Sequence, residues 1–503
     1  MKKVYTLALG TVLCWASSCN KSDRQAISVV NNDTTISSIA DINRFIKNEL
    51  QTKGKFEWSA ASINMVQGAL LHSDSILSVG YQPAGFSGLN EKIHTIDIHS
   101  SEWQAAREEV LRIIRENEKG AATIVFNQDI LPVIDVKVSR QATLKALRSS
   151  SLVRYAEPTG YGDLTNTTSA PQTESSSSSG SGSGCGGNTG DNSLVAGAHY
   201  FNMQPGTKKS WNYTYSKIDE AWTNATGKGI KVMIIDTGVS PDQENLGDDF
   251  NQGASSGRTI QKKVTRPGGT TADGCGHGTK MASVCAAPRG NDNSMTGVAY
   301  NANLVTVRAA DDVLISGSDE VQGVTDAFTL AGNSADVKIV SMSMGTIIKE
   351  SKIADAIRYA KGKGKLIFCA AGTSTSFTAS FVGVIFPAYM DEVVAVTGVK
   401  DNQTERCADC HVGKEVDFTV VMERVQDGKH PLSLAMAGDV PSTVGGSSVA
   451  TATCAGIAAL VWSKFPSYTS SDVLNKMAES ASLYTNKSSK FGWGVINAKS
   501  ATE

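Results

Sequence analysis

The feature that most constrains this chain is the alternation of apolar runs and helical stretches over residues 200–503. Five apolar runs of five or six residues recur there, and helical stretches lie between most of them. Continuous apolar runs of that length are typical of strands buried on both faces of a parallel sheet. The pattern therefore predicts an α/β domain with a parallel sheet and helices on both faces. The predicted strands are 230–235, 303–308, 337–341, 365–370 and 392–397.

A smaller domain is predicted upstream, over residues 91–159. Its pattern reads strand, helix, strand, strand, helix, strand, which is the βαββαβ order of the ferredoxin-like unit. The predicted strands are 92–98, 122–126, 131–138 and 153–158, and the predicted helices are 101–118 and 141–149. Residues 40–90 contain an amphipathic helical pattern mixed with irregular stretches and predict no defined fold. That pattern is formed by Ile42, Phe45, Ile46 and Leu50.

The segment between these two domains, residues 160–199, is rich in serine and glycine. Such a composition does not bury a core, and it predicts a flexible linker. The 503 residues suffice for two or three domains. The formal net charge is −2 and there is no basic cluster, so the composition argues against a nucleic-acid partner.

The N-terminus predicts export from the cytoplasm. Lys2 and Lys3 precede an apolar run, residues 4–16, whose 13 residues are too short to span a membrane. The run ends in small residues before Cys19, which resembles the cleavage site of bacterial lipoproteins. We therefore expect a signal peptide over 1–18, lipid on Cys19, a tether over 19–39, and attachment to the bacterial cell envelope, at the outer membrane or cell surface. The alternative is a plain secretory signal in which Cys19 has no role.

Three short motifs in the large domain carry residues suited to nucleophilic catalysis. Asp236 ends a buried strand before Thr237 and Gly238, His277 lies between two glycines at a helix start, and Ser448 follows a Gly-Gly turn at another helix start. Asp-Thr-Gly also occurs in aspartic proteases, but those need two such carboxylates and this chain has no second copy. Free backbone N–H groups at a helix start favour a developing oxyanion.

Together, in the order Asp, His, Ser, the motifs resemble those of the subtilisin family. Residues 446–452 resemble the family's Gly-Thr-Ser-Met-Ala-Thr-Pro segment, with Ser448 at the nucleophile. Residues 391–398 and 491–498 also match family segments, and residues 92–158 resemble the family's inhibitory propeptide. The stretch 339–345 resembles the substrate-binding strand, which assigns substrate contacts to Ser343, Met344 and Gly345.

The resemblance implies a serine endopeptidase with Asp236, His277 and Ser448 as its triad, made as a precursor. Polypeptides would be its substrates, its own propeptide a further partner, and no cofactor would be required for the chemistry. Thr373 stands where the family has an asparagine that donates to the oxyanion. A Thr hydroxyl has one hydrogen to donate. The alternative is a catalytically weak or inactive subtilisin-like binding protein, a pseudoprotease, on the cell envelope.

Cysteines and one polar loop raise further questions of pairing and metal binding. Of the nine cysteines, seven remain after the signal peptide and Cys19, and sequence leaves their pairing open. Cys407, Cys410 and His411 match the haem-attachment pattern, but a local disulfide or free thiols are favoured over haem or zinc. The loop 289–294 lies where the family often binds calcium, so structural calcium or a solvated turn is expected there. No metal is assigned to the site.

Overall fold

We analysed a computed structural model that describes residues 36–162, 184–373 and 383–503. Ile36–Glu503 forms one compact unit. The predictions for the signal peptide, for Cys19 and for most of the Ser/Gly-rich linker fall outside the described residues.

The N-terminal part is an antiparallel sheet with helices packed against it. Its four strands lie in the order β2-β3-β1-β4. The elements are α1 Ile39–Lys53, α2 Ile63–Leu71, β1 Ile76–Tyr81, α3 Leu89–Lys92, α4 Ser101–Glu118, β2 Ile124–Phe126, β3 Val133–Lys137, α5 Gln141–Arg148 and β4 Val153–Pro158. From β1 to β4, with the short α3 aside, this gives the βαββαβ order that the sequence predicts.

The predicted strand over 92–98 is wrong, and the sheet's first strand is instead Ile76–Tyr81. The Asp97 carboxylate accepts a hydrogen bond from the N–H of His99, and Ser100 N–H donates to Asp97 O, so this stretch forms turns. All six residues of β1 are buried, and the strand pairs with both β3 and β4. Because β1 is central, the sheet crosses the boundary that the sequence analysis places at residue 91.

The large part contains a seven-stranded, all-parallel sheet with the order β13-β12-β11-β10-β7-β9-β8. Its strands are β7 Lys231–Asp236, β8 Ile260–Val264, β9 Asn303–Arg308, β10 Val337–Met342, β11 Leu366–Ala370, β12 Val394–Lys400 and β13 Val416–Glu423. Two hairpins lie outside it: β5 Tyr200–Met203 with β6 Thr207–Ser210, and β14 Leu432–Ser433 with β15 Ser442–Thr443.

Five of these seven strands are the apolar runs that the sequence predicts, and the α/β prediction is confirmed. The chain adds β8 and β9 on one side of β7 and β10 to β13 on the other, so the direction of strand addition reverses between β7 and β10. In open α/β sheets, sites form at the carboxyl ends of the strands beside such a reversal. Asp236 ends β7, and Ser343–Gly345 follow the end of β10.

Helices cover both faces of the sheet. They are α6 Ile218–Ala221, α7 His277–Ala286, α8 Ser318–Asn333, α9 Ser351–Gly362, α10 Gly446–Lys464, α11 Ser470–Glu479 and α12 Ala498–Ala501. Of the helices described, α10 alone has the length and composition of a membrane span, but 89% of that window is buried inside the protein. It is a core helix, and Ser448 lies in its first turn.

Candidate active site

Strand β7 places Asp236 at the carboxyl edge of the sheet, almost fully buried. Its Oδ1 accepts a hydrogen bond from the N–H of Thr237 at 2.9 Å and lies 2.7 Å from Nδ1 of His277. The Asp236 side chain is 1% exposed and that of His277 is 4% exposed. A carboxylate in this position fixes the imidazole orientation and stabilises its protonated form.

Helix α7 begins at His277, and glycines allow it to approach β7 closely. Gly276 precedes the helix with a φ of 86°, a left-handed conformation that favours glycine. A Cβ on Gly278 would lie 2.2 Å from the carbonyl oxygen of Gly238, so only glycine fits there. These contacts bring the first residue of α7 beside the end of β7.

Asp273 stabilises this helix start, although it was not among the residues predicted for the site. Its carboxylate accepts hydrogen bonds from the N–H groups of Cys275, Gly276 and Thr279, and from the hydroxyl of Thr237. It thereby satisfies N–H groups that a helix start leaves without intrahelical partners. An aspartate a few residues before a helix is a readable capping signal, and it was available in the sequence.

Helix α10 carries Ser448 in its first turn, after Gly446 with a φ of 82°. The Ser448 hydroxyl donates to the carbonyl oxygen of Ser343 at 3.4 Å, and the Ser343 hydroxyl donates to the carbonyl oxygen of Ser448 at 2.9 Å. No hydrogen bond joins Ser448 to His277, both of which the structure describes. Catalytic hydrogen bonds are often long or absent without substrate.

His277 and Ser448 line one cleft of about 420 Å³. Thr373 and the stretch Ser343–Gly345 line the same cleft, so the structure gathers there all the predicted site residues that it describes except the buried Asp236. The Thr373 hydroxyl lies 3.2 Å from that of Ser447. The described part of the chain thus places the His277 imidazole and the hydroxyls of Ser448 and Thr373 around one open space.

The backbone of Gly345 is already paired within the chain. Its N–H donates to the carbonyl oxygen of Val313 at 3.1 Å, and its carbonyl accepts from the N–H of Ile315 at 3.0 Å. The resemblance to the subtilisin family predicts that this stretch contacts the substrate. In this form of the protein, the 313–315 segment holds the hydrogen-bonding groups of Gly345.

Two disulfides flank the cleft. Cys185–Cys275 joins the end of the linker to the residues just before His277, and Gly186 and Gly187, which follow Cys185, line the cleft. Lys280 donates to the carbonyl oxygen of Gly186, and burial lowers the pKa of Lys280 to about 8. No sequence signal predicts this crossing segment, because it lies within a region that reads as linker.

The second disulfide, Cys407–Cys410, is the local pairing that the sequence favoured over haem or zinc. Cys410 lies beside Thr373 in a short antiparallel bridge. The three cysteines found free among the described residues are buried, and they are Cys285, Cys369 and Cys454. Among the described residues, one cluster has metal-ligand spacing, Cys185, Cys275 and Asp312, but its cysteines form the first disulfide.

In the loop 289–294, where structural calcium or a solvated turn was expected, protein donors contact three of the oxygens. The Asp292 carboxylate accepts from the Gln252 side chain at 2.7 Å and from the N–H of Ser294 at 2.9 Å. The Lys208 ammonium donates to the carbonyl oxygen of Asn293. These contacts are those of an internally hydrogen-bonded loop, and structural calcium there stays a prediction.

Comparisons with known proteins cover the large part of the chain. Alkaline elastase YaB from Bacillus sp. (strain YaB) is 30% identical over 277 residues, which are 55% of this chain and 65% of the relative. The chain thus spans less than two thirds of that relative's length. Subtilisin Savinase from Lederbergia lenta is 30% identical over 280 residues, with 55% of this chain and 92% of the relative covered. Among solved structures, MycP1 from the ESX-1 type VII secretion system is 21% identical, covers 61% of this chain and 89% of its own, and has a TM-score of 0.47. A family model described as the subtilase family matches residues 227–494, more than half of the 503 residues, and the chain belongs to this family.

Proposed function

We propose that this chain is a serine endopeptidase made as a latent precursor. The observation that carries the proposal is the buried 2.7 Å contact between Asp236 Oδ1 and His277 Nδ1, with Ser448 across the same cleft. Buried carboxylate, oriented imidazole and serine at a helix start are the parts that acyl transfer requires. Subtilases need no cofactor for this chemistry.

In the proposed reaction, Ser448 attacks the scissile carbonyl and His277 takes its proton as general base. His277 returns that proton to the leaving amine, which leaves an acyl-enzyme on Ser448. Water then attacks the acyl carbon, His277 takes a proton from the water, and that proton passes to the departing Ser448 oxygen. The Ser448 side chain first has to rotate from the carbonyl oxygen of Ser343 towards His277. Substrate in the cleft would favour this rotation by displacing water from the base.

The oxyanion would be stabilised by the N–H of Ser448 and the hydroxyl of Thr373. The first turn of α10 leaves its N–H groups without intrahelical partners, and Ser448 lies in that turn. Thr373 lines the cleft beside it. Donors fixed before reaction lower the barrier because they need no reorganisation as charge develops.

The substrate would be a polypeptide bound in extended form along Ser343–Gly345. Addition of a peptide strand needs free backbone groups, and Val313 and Ile315 hold those of Gly345 here. The segment 313–315 must therefore move before a peptide can pair with Gly345. This supports a latent form in which the groove is closed.

The N-terminal part would be the inhibitory propeptide. It packs on α8 and α9 through buried polar contacts. Lys352 of α9 lies 2.7 Å from Asp135 of β3, and both side chains are fully buried. Lys352 also donates to Gln322 of α8 at 2.6 Å. A second pair joins Arg154 of β4 to Asp355 of α9.

Glu157 near the end of β4 also contacts the first residue of α9. Its carboxylate accepts from the N–H of Ser351 at 2.5 Å and from the Ser351 hydroxyl at 3.0 Å. The first of these bonds satisfies an N–H group that the helix start leaves without an intrahelical partner. Together these contacts support the proposal that a folded N-terminal part stays bound to the large part until cleavage in the linker releases it.

We further propose that Cys19 carries lipid and holds the protein in a bacterial envelope. The proposal depends on the sequence alone. Cys19→Ser should release the protein into the soluble fraction or leave the signal uncleaved. Unchanged membrane fractionation of this variant would contradict it.

The test of the peptidase proposal is Ser448→Ala in the full-length chain. Wild type should process itself and cleave a denatured protein substrate, whereas the variant should accumulate as uncleaved precursor. Ser442→Ala serves as the matched serine variant, because the Ser442 hydroxyl lies outside the triad and donates to the carbonyl oxygen of Gly187 at 2.9 Å. This control should still process itself. A wild type with no activity would favour the pseudoprotease alternative.

A further inference from the structure

Beside the nucleophile, three polar groups form a short hydrogen-bonded chain. The N–H of Gly372 donates to Oγ of Ser447 at 3.2 Å, and the Ser447 and Thr373 hydroxyl oxygens lie 3.2 Å apart. Ser447 is fully buried, while Thr373 lines the cleft. The chain therefore runs from a buried backbone group to an open site.

Counting hydrogens favours one direction for this chain of hydrogen bonds. An N–H only donates, so Ser447 Oγ is the acceptor from Gly372. The single hydrogen of the Ser447 hydroxyl then needs an acceptor, and among the described residues the structure gives it Thr373 Oγ1. A buried hydroxyl whose hydrogen finds no acceptor is destabilising. The favoured arrangement is therefore Gly372 to Ser447 to Thr373, which leaves the hydrogen of Thr373 available to the cleft.

The space around Thr373 fits this arrangement. A Cβ on Gly446 would lie 2.9 Å from Thr373 Oγ1, so the glycine leaves room for the hydroxyl next to the first turn of α10. The Thr373 backbone is held on its other side by the bridge to Cys410. The hydroxyl is thus fixed in place, and the direction of its hydrogen depends on Ser447.

We propose that Ser447 is a positioning residue that orients the Thr373 hydroxyl as oxyanion donor. The inference rests on the proposed peptidase function. The Ser447 side chain is fully buried; by donating to one lone pair of Thr373 Oγ1, it leaves the Thr373 hydrogen to point into the cleft. Without Ser447, the hydrogen of the Thr373 hydroxyl takes several directions, so it donates to the oxyanion only part of the time.

Ser447→Ala should lower kcat on the order of tenfold with little change in KM, because the affected interaction exists only in the transition state. Ser447→Thr keeps a hydroxyl and should retain kcat. Thr453→Val is the matched control, since Thr453 is a buried hydroxyl on the same helix with no hydrogen-bond partner among the described residues. It should leave kcat unchanged. Thermal midpoints of all three variants show whether each is folded.

The double variant Ser447→Ala with Thr373→Val separates positioning from general packing. If Ser447 acts through Thr373, adding Ser447→Ala to Thr373→Val should cause no further loss of kcat. A loss that multiplies with that of Thr373→Val, or full activity of Ser447→Ala alone, would overturn the inference and leave the peptidase proposal standing. A wild type that neither cleaves nor reacts with a fluorophosphonate would overturn both.

Discussion

At the scale of single residues, the site depends on which hydrogen bonds each side chain makes. His277 is oriented by Asp236, and the start of its helix is satisfied by Asp273. The Ser448 hydroxyl donates a hydrogen bond to the carbonyl oxygen of Ser343 and not to His277. Asp236, His277 and Ser448 were predictable from short motifs, because glycines and strand ends place them locally, whereas Thr373 was predicted from the resemblance to the subtilisin family. The contact between Gly345 and Val313 was not predictable from sequence, because it joins two segments whose pairing no local pattern indicates.

Thr373→Val should lower kcat on the order of a hundredfold and leave KM nearly unchanged. In subtilisin, the loss of one oxyanion donor raises the activation free energy by roughly 2.7–4 kcal/mol. Valine is nearly isosteric, so packing should survive. Steady-state kinetics on a peptide substrate measure the effect. An unchanged kcat would remove Thr373 from the site and leave the oxyanion to backbone N–H groups.

At the scale of elements, the surface between the N-terminal sheet and helices α8 and α9 is held by buried charge. Asp135 of β3 and Lys352 of α9 pair with no exposure to solvent. In the N-terminal part, the type and approximate bounds of α4, β2, β3, α5 and β4 were predicted, and helix Ser101–Glu118 was predicted at its observed bounds. No fold was predicted for residues 40–90, which form α1, α2 and β1. The first strand was misplaced, because Ile93, Ile96 and Ile98 mimic the alternation of a strand within a stretch of turns.

Asp135→Asn should destabilise the full-length protein by about 3–5 kcal/mol, because it leaves the Lys352 ammonium buried without its counter-charge. Urea unfolding measures the change. Arg112→Ala is the control, since Arg112 pairs with Glu109 and Glu116 on an exposed face of α4. It should have no measurable effect. Equal effects of the two variants would contradict a buried, energetically important contact.

At the scale of the whole molecule, the proposed latency assigns inhibition to residues 36–162 as one unit, because their sheet includes β1. A fragment of residues 36–162, added to an active 184–503 domain, should inhibit peptide cleavage at micromolar concentration. A fragment of residues 91–158 should not, because it lacks β1 from the middle of the sheet. Inhibition by the shorter fragment alone would contradict the assignment of β1, and no inhibition by the longer one would contradict the propeptide proposal.

The association of the N-terminal part with the 184–503 domain should depend on pH, because two buried carboxyls lie near the start of α9. Burial raises the pKa of Glu157 to about 7 and raises that of Glu350 well above its ordinary value. Lys349 opposes the shift of Glu157, while Asp355 adds to it. A carboxyl with a raised pKa in the bound state favours association below its free pKa, and this contribution is lost as pH rises to about 7.

The two parts should therefore bind more tightly at pH 5 than at pH 8. Titration calorimetry of the longer fragment against the 184–503 domain with Ser448→Ala measures the slope between these values. Glu157→Gln removes one titrating group and should flatten it. Tighter binding at pH 8 than at pH 5 would contradict the predicted direction of the pH dependence.

The most direct test of the central claim is labelling by a fluorophosphonate, which reacts only with an activated serine. Wild-type protein should be labelled at Ser448, as located by mass spectrometry of the digested adduct. Ser448→Ala should abolish the label, and Asp236→Asn should slow it by orders of magnitude because the imidazole loses its orientation. Wild type that stays unlabelled after release of the N-terminal part, or a label on another residue, would contradict the account.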